Sequence, residues 1–319
     1  MKPPREAAGE AVALGAGAEF DAIRTLLGRW GTRAVGVGDD AAVLSVPRGD
    51  RVVASVDTAI EGRHFRAEWL TPREIGYRAV TAALSDLAAM AAGPLGILVS
   101  IVLSKRWHAE LAGIADGIGD AADASASRIV GGNIAAADLL SITTTVLGSA
   151  YSVLRRDGLH EGDNIYVTGR LGGPGAALRA WSAGREPEAQ HRARFAGPRA
   201  RLDEARWLAE RGATAAIDIS DGLAADLGHL AAASCAHVEV DLARLPLVEG
   251  VTDLDAAASG EEFELVVGSP QRLDVAEFEA RFALPLTLVG HVRAGDAGVT
   301  LHRDGERVAP PSGYDHLSP

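Results

Sequence analysis

Residues 51–65 read RVVASVDTAIEGRHF. Val52, Val53 and Val56 are β-branched, and the run that holds them is apolar, so it starts as a strand. Side chains alternate along a strand, which places Ser55 and Asp57 on one face. The strand ends in that carboxylate and opens into a polar turn with Glu61, Gly62 and His64. Two readings stand for Asp57: a residue that terminates the strand, or an oxygen ligand delivered to a cation at the strand's end.

The next segments repeat the theme. Residues 72–92 have helical character with Pro72 in the first turn and are apolar nearly all round, so the helix is expected to be buried. Asp86 sits inside it, either satisfied by an Arg or backbone group or bound to a metal. Residues 96–103, GILVSIVL, form a buried strand; residues 110–126 form a helix; RIVGGN at 128–133 is a strand running into a Gly-Gly turn; residues 139–148 are a further strand. The order β, α, β, α, β, β suits an α/β sandwich with helices on one face. Upstream, residues 19–30 form a helix. VGVGDDAAV at 35–43 lacks a complete G-x-G-x-x-G and is followed by a strand where a helix is needed, so a dinucleotide-loop reading is weak. Residues 1–18, rich in Ala, Gly and Pro, are expected to be disordered.

A change of composition near Tyr151 divides the chain into a domain over 19–150 and a second over 151–319. In the second, residues 164–169 are a strand, and LGGPGAAL at 171–178 leads into a helix that either holds an anion at its N-terminus or packs tightly. Residues 186–194 are polar and expected to be exposed, and 198–212 are helical. IDISDGL at 217–223 is the polar centre of this half. Asp218 and Ser220 share a face, and Asp221 is an N-cap or a ligand. A helix over 222–235 and strands at 237–240, 263–267 and 286–292 come next. Asp304-Gly305 marks a hairpin turn.

Length and charge narrow the function. The chain has 319 residues, 47% of them hydrophobic, and carries a net charge of −12. That charge speaks against nucleic acid or an anionic membrane as partner. Lysine occurs only at Lys2 and Lys105, so arginine makes most cationic contacts. Cys235 is the only cysteine, which excludes an internal disulfide and fits a reducing cytoplasm. No signal-peptide pattern opens the chain and no run suits a membrane span. There is no G-x-x-x-x-G-K-[ST], no H-E-x-x-H and no G-x-S-x-G. An oxygen-only set remains: Asp40, Asp57, Asp86, Asp218 and Asp221, with Ser55, Thr58 and Ser220. Hard oxygen ligands of this kind suit Mg²⁺ bridging to substrate phosphates.

These motifs carry a resemblance over nearly the whole chain. GDDAAV (38–43), VDTAIEGRHF (56–65), LSDLAAMAA (84–92), GGN (131–133), GDNIYVTG (162–169), IDISDGLAADL (217–227), GEEFEL (260–265) and the terminal GYDH resemble those of thiamine-monophosphate kinases. That family belongs to a superfamily with aminoimidazole ribonucleotide synthetase and selenophosphate synthetase. The resemblance implies a two-domain fold, each domain a mixed sheet packed with helices, and ATP-dependent phosphorylation of thiamine monophosphate to thiamine diphosphate. It implies several Mg²⁺ ions at Asp40, Asp57, Asp86, Asp218 and Asp221, with Ser55, Thr58 and Asn133 as further metal positions. Gly132, Asn133, Arg156 and Ser220 match positions near ATP; His64, Glu261 and Tyr314 match positions near the thiamine substrate. A homodimer through the N-terminal domain is implied as well. The acceptor is a phosphate with a second pKa of about 6, so no general base is expected.

Three departures stand out. Asn133-Ile134-Ala135-Ala136 replaces the commoner Asp-Thr-Thr-Arg after the glycines, Glu262-Phe263 replaces Asp-Tyr, and Leu317 replaces a Phe or Trp. Two alternatives keep the fold. One is an ATP-dependent enzyme with another acceptor, although a selenophosphate synthetase would need a reactive N-terminal cysteine. The other is a nucleotide-binding protein without turnover, for which Asn133 speaks.

Overall fold

Apolar residues at helical spacing build the first helix, α1 (Ala18–Trp30), with Leu26 and Trp30 buried. In this computed structural model, residues 17–37, 41–311 and 313 are described. The expected disorder of residues 1–18 falls mostly outside them, and Ala18 already belongs to α1. The chain divides into two compact units. Residues up to 84 go with 94–149, and residues 85–93 go with the chain from 150 onward.

The first unit continues with β1 (Arg51–Ile60), α2 (Pro72–Ala89), β2 (Gly93–Leu103), α3 (Leu111–Ala124), β3 (Ile129–Ala136) and β4 (Ser141–Ala150). The strands form one sheet in the order β1-β4-β2-β3, with β2 and β3 parallel. Alternation sets its faces. Ile97, Val99, Ile101 and Leu103 of β2 and Ile142 and Val146 of β4 are buried, as are Ile114 and Ile118 of α3. Small residues let the helices meet closely. A methyl group on Gly76 would strike the Ile114 carbonyl, and one on Gly117 would strike the Arg73 carbonyl, so α2 and α3 touch backbone to backbone. α1 lies on α3, where Trp30 Nε1 donates to the Ala115 carbonyl at 3.0 Å.

The second unit contains β5 (Asn164–Thr168), α4 (Gly173–Ser182), α5 (Ala189–Ala196), α6 (Leu202–Glu210), β6 (Ala215–Asp218), α7 (Leu223–Ser234) and β7 (His237–Asp241). It goes on with α8 (Asp253–Ala257), β8 (Leu265–Ser269), α9 (Val275–Phe282), β9 (Leu286–Arg293), β10 (Gly298–Arg303) and β11 (Glu306–Val308). Its strands run in the order β11-β10-β7-β9-β5-β8-β6. Only the β10–β7 pairing is parallel among those described. Ile165, Val167, Ile217, Leu227, Leu230, Val238, Val266 and Val289 form its apolar core.

Two expectations are corrected here. Residues 186–194 are not a wholly exposed polar stretch: α5 buries His191 and Phe195, four residues apart on one helix face, and Phe195 meets the Trp181 ring edge-on at 5.3 Å. The strand expected over 263–267 begins at Leu265, because Glu261 (φ 62) and Phe263 (φ 53) are left-handed and cannot extend a ladder. The Asp304-Gly305 hairpin holds: Arg303 pairs with Glu306, and the turn residues have φ of 53 and 83. Among the described residues, no helix is long and apolar enough to cross a membrane.

Candidate functional site

In the second unit the polar centre forms where β6 ends. Asp218 closes that strand and is 4% exposed. Ser85, in the last turns of α2, donates its hydroxyl to Asp218 Oδ2 at 2.7 Å. Burial, and then the Asp86 carboxylate, push Asp218 up to about 7; Ser85 and the Arg156 charge pull the other way. Asp86 is half-buried rather than fully enclosed. Asp86 and Arg156 are therefore each within electrostatic reach of Asp218.

Asp221 is not the cap of the next helix. α7 begins at Leu223 with Gly222 as its N-cap and no side-chain cap. The loop is held by Asp226, whose Oδ2 accepts from the Ser220, Asp221 and Gly222 amides at 3.1, 3.2 and 3.1 Å. Three N–H groups converging on one carboxylate leave the Ser220 and Asp221 side chains free of the capping role. Sequence reasoning missed Asp226; the signal was an acid in the first turn of a helix entered through Ser-Asp-Gly. Burial, then Asp218 and Asp221, push Asp226 up to about 8.

The loop 259–264 docks against the same segment. The Glu261, Glu262 and Phe263 amides donate to the Ser220, Ile219 and Ile219 carbonyls at 2.7, 3.1 and 2.9 Å. That brings Glu261, half-buried, beside Ser220. From the tail motif, Gly313 lies over the first turn of α7: a methyl group there would come within 2.4 Å of Ala225 Cβ and 3.2 Å of the Asp221 carbonyl. Tyr314 lies outside the described residues, as does Asp40.

In the first unit Ser55, Asp57 and Thr58 are half-buried on β1. Thr58 Oγ1 is 3.0 Å from Thr143 Oγ1, and its amide donates to Asp57 Oδ1 at 2.6 Å. Asp57 faces a cation the sequence reading missed. Arg78 of α2 is 5% exposed, and burial lowers it to about 9 while Asp57 raises it. His64 Nδ1 accepts from the Ile60 amide at 3.0 Å, and Glu61 Oε2 accepts from Trp107 Nε1 and the Leu140 amide at 3.0 and 3.1 Å. Glu61 thus shapes the loop that presents His64. Gly132 and Asn133 lie on β3, both exposed, and a methyl group at Gly132 would strike the Val99 carbonyl.

Among the described residues, no three Asp, Glu, His or Cys side chains are arranged as a ready metal-ligand set. The donor chemistry nevertheless fits a hard cation. Asp218 is buried next to a second carboxylate, and the excess negative charge there is what a divalent ion neutralises. A cavity of about 550 Å³ lined by Arg170, Gln190, Arg194 and residues 247–249 contains none of the expected site residues.

Comparison with known proteins identifies the family. Residues 38–150 match the family model described as AIR synthase related protein, N-terminal domain, and residues 160–302 match its C-terminal counterpart. Thiamine-monophosphate kinase of Escherichia coli (strain K12) is 32% identical over 304 residues, covering 89% of this chain and 92% of the relative. The chain belongs to the thiamine-monophosphate kinase family. Another member, from Rhodopirellula baltica, is 36% identical over 282 residues, covering 81% of this chain and 83% of its own. The crystal structure of thiamine-monophosphate kinase from Stenotrophomonas maltophilia K279a superposes with a TM-score of 0.80 at 31% identity, covering 89% of this chain and 97% of that one. AaThiL complexed with AMPPCP and TMP gives a TM-score of 0.74 at 27% identity, covering 93% and 95%. The mixed α/β, two-sheet architecture is the two-domain AIR synthase-like fold of this family.

Proposed function

We propose that the chain is a phosphotransferase that phosphorylates thiamine monophosphate to thiamine diphosphate with ATP, by direct in-line transfer. The observation that carries this is the Asp218 centre: a buried carboxylate beside Asp86, tied down by Ser85 and followed in the chain by Ser220 and Asp221, in a chain matching thiamine-monophosphate kinases over most of its length. In this reading Asp57, Asp86, Asp218 and Asp221 hold Mg²⁺ with Asp40, and Ser55, Thr58 and Asn133 add neutral oxygens. Bound Mg²⁺ would neutralise the phosphates and hold donor and acceptor in line. Gly132, Asn133, Arg156 and Ser220 serve ATP; His64, Glu261 and Tyr314 serve the acceptor. The acceptor phosphate is already ionised near neutral pH, so no side chain is needed as base. Positioning and charge neutralisation are what the residues supply.

A homodimer through the first unit belongs to the same reading. Val52 and Val56 of β1 are each 61% exposed. They share a face with Thr58, which meets Thr143 of β4, so an apolar sheet face stands open for a second copy. Cys235 as the only thiol fits a cytoplasmic setting.

The test is ADP release from ATP with thiamine monophosphate, thiamine or an aminoimidazole ribonucleotide precursor as acceptor, with the product identified by mass. Turnover is expected with thiamine monophosphate, to stop in excess chelator and to return with Mg²⁺. Turnover only with another acceptor overturns the substrate assignment, and full activity in chelator overturns the metal assignment.

A further inference from the structure

The loop 259–264 holds two non-glycine residues in left-handed conformation, Glu261 (φ 62) and Phe263 (φ 53), flanking Glu262. Side chains disfavour that region, so the surroundings must impose it. On one side the imposition is the row of amides donating to Ile219 and Ser220. It is closed by the Ile219 amide, which donates to the Glu264 carbonyl at 2.8 Å. On the other side it is Glu262. This residue is 4% exposed, and its Oε1 accepts from the Gly172 amide at 2.6 Å and the Ser259 hydroxyl at 2.5 Å. The Ser259 hydroxyl oxygen accepts in turn from the Gly175 amide at 2.9 Å. Arg194 Nη2 stands 3.5 Å from Oε2. One carboxylate and one hydroxyl therefore bind the loop to the first turn of α4. The approach leaves no slack: a methyl group at Gly175 would meet Ser259 Oγ at 2.6 Å, and one at Gly260 would meet the Ser220 carbonyl at 2.6 Å.

We propose that Glu262 is a positioning residue for the acceptor: by clamping the loop between α4 and the Ile219–Ser220 backbone, it sets the left-handed backbone from which Glu261 meets thiamine monophosphate. This rests on the reading of the chain as a kinase of that substrate with Glu261 beside the acceptor. Glu262 does not touch the reacting atoms. Glu264, two residues on, plays a different part. It takes Arg201 through two bonds of 2.8 and 2.5 Å and a hydroxyl bond from Thr168 at 2.8 Å, which fixes the root of β8.

The test compares the full-length wild type with Glu262→Ala, Glu262→Gln and Ser259→Ala, measuring KM for each substrate, kcat and melting temperature. Loss of the clamp in Glu262→Ala should raise KM for thiamine monophosphate roughly tenfold or more while KM for ATP changes by less than about twofold. Glu262→Gln keeps a carbonyl oxygen that accepts from both the Gly172 amide and the Ser259 hydroxyl and gives up only the long Arg194 contact, so it should restore most of the acceptor affinity. Ser259→Ala removes the hydroxyl that links Glu262 to Gly175 and should move KM for the acceptor in the same direction as Glu262→Ala. If Glu262→Ala does not fold, Ser259→Ala and Glu262→Gln decide on the same criteria. An unchanged acceptor KM in a folded variant overturns the assignment. So does an equal rise in both KM values that tracks the melting temperature, because that is what a merely structural residue gives. A wild type without turnover on thiamine monophosphate overturns the kinase reading first, and the assignment with it.

Discussion

Asp218 shows what one side chain gains from its neighbours. Its carboxylate is buried against Asp86 and held by Ser85, so charge there is costly until a cation arrives. Asp218→Asn keeps an oxygen for Ser85 and removes the charge. It should cut turnover roughly a hundredfold or more while the melting temperature holds or rises. Thermal melts run beside single-turnover rates check this, and an early melt with unchanged specific activity would make Asp218 a structural residue. Burial also raises Glu262 to about 7, with Asp218 at about 7 and Asp226 at about 8. Their unfolded values lie near 4, so as pH rises the unfolded chain gives up these protons first. The stability they contribute is complete below about pH 4 and is lost as pH climbs through 7 to 8. The metal-free chain should therefore melt at falling temperature from about pH 5 to about pH 8. Glu262→Gln should flatten that slope by an amount on the order of 1–3 kcal/mol over the range. A slope identical to wild type would show that Glu262 does not change protonation on folding. Asn133 brings an oxygen without a charge. Asn133→Asp should lower the Mg²⁺ concentration at half-maximal rate by roughly threefold or more, with a smaller change in saturated rate. If instead wild type is inactive at every Mg²⁺ concentration and the Asp variant gains turnover, the chain is a binding protein that has lost its chemistry.

Among the elements, α2 shows how composition becomes geometry. Its sequence is rich in small residues, and the structure uses Gly76 for contact with α3, whose Gly117 answers it. A methyl group at Gly117 has backbone on its far side, the Arg73 carbonyl and the Tyr77 amide, so neither neighbour can swing away. Gly117→Ala should cost about 1–3 kcal/mol. The melting temperature should fall by roughly 3–10 °C. An unchanged melting temperature would mean the two helices do not cross this closely. Most strands were legible from short apolar runs, and the β10–β11 turn from Asp304-Gly305; the Gly-Gly turn expected at 131–132 is instead the middle of β3, which continues to Ala136. α5 was not, because its buried face consists of just two larger residues, His191 and Phe195, among polar ones. No periodic apolar signal survives in so short a helix.

For the molecule as a whole, the open sheet face of the first unit is where the proposed homodimer can be tested. Val52 and Val56 stand out of β1 into solvent beside half-buried Thr143, Thr145 and Leu147 of β4. A face of that kind is stable in water when a second copy covers it. Light scattering after size exclusion should give twice the chain mass for wild type, and one chain mass for Val56→Glu with its fold intact by circular dichroism. A monomeric wild type, or a dimeric Val56→Glu, would rule this face out as the contact.

The amino-acid order alone settled whatever depends on near neighbours. Strand alternation, helix entry, the Asp-Gly turn, the spacing of Asp218, Ser220 and Asp221 and the run of motifs that gives the family all lie within short windows. What it did not give are partners distant along the chain. Ser85 and Asp218 are separated by 133 positions, and Glu262 and Gly172 by 90. Nothing within a few residues of Glu262 says that its carboxylate will meet the first turn of α4, or that Arg78 will be buried facing Asp57. Burial and proximity to a second charge belong to the folded chain, and they, not residue type, decide which carboxylates keep their protons near neutral pH.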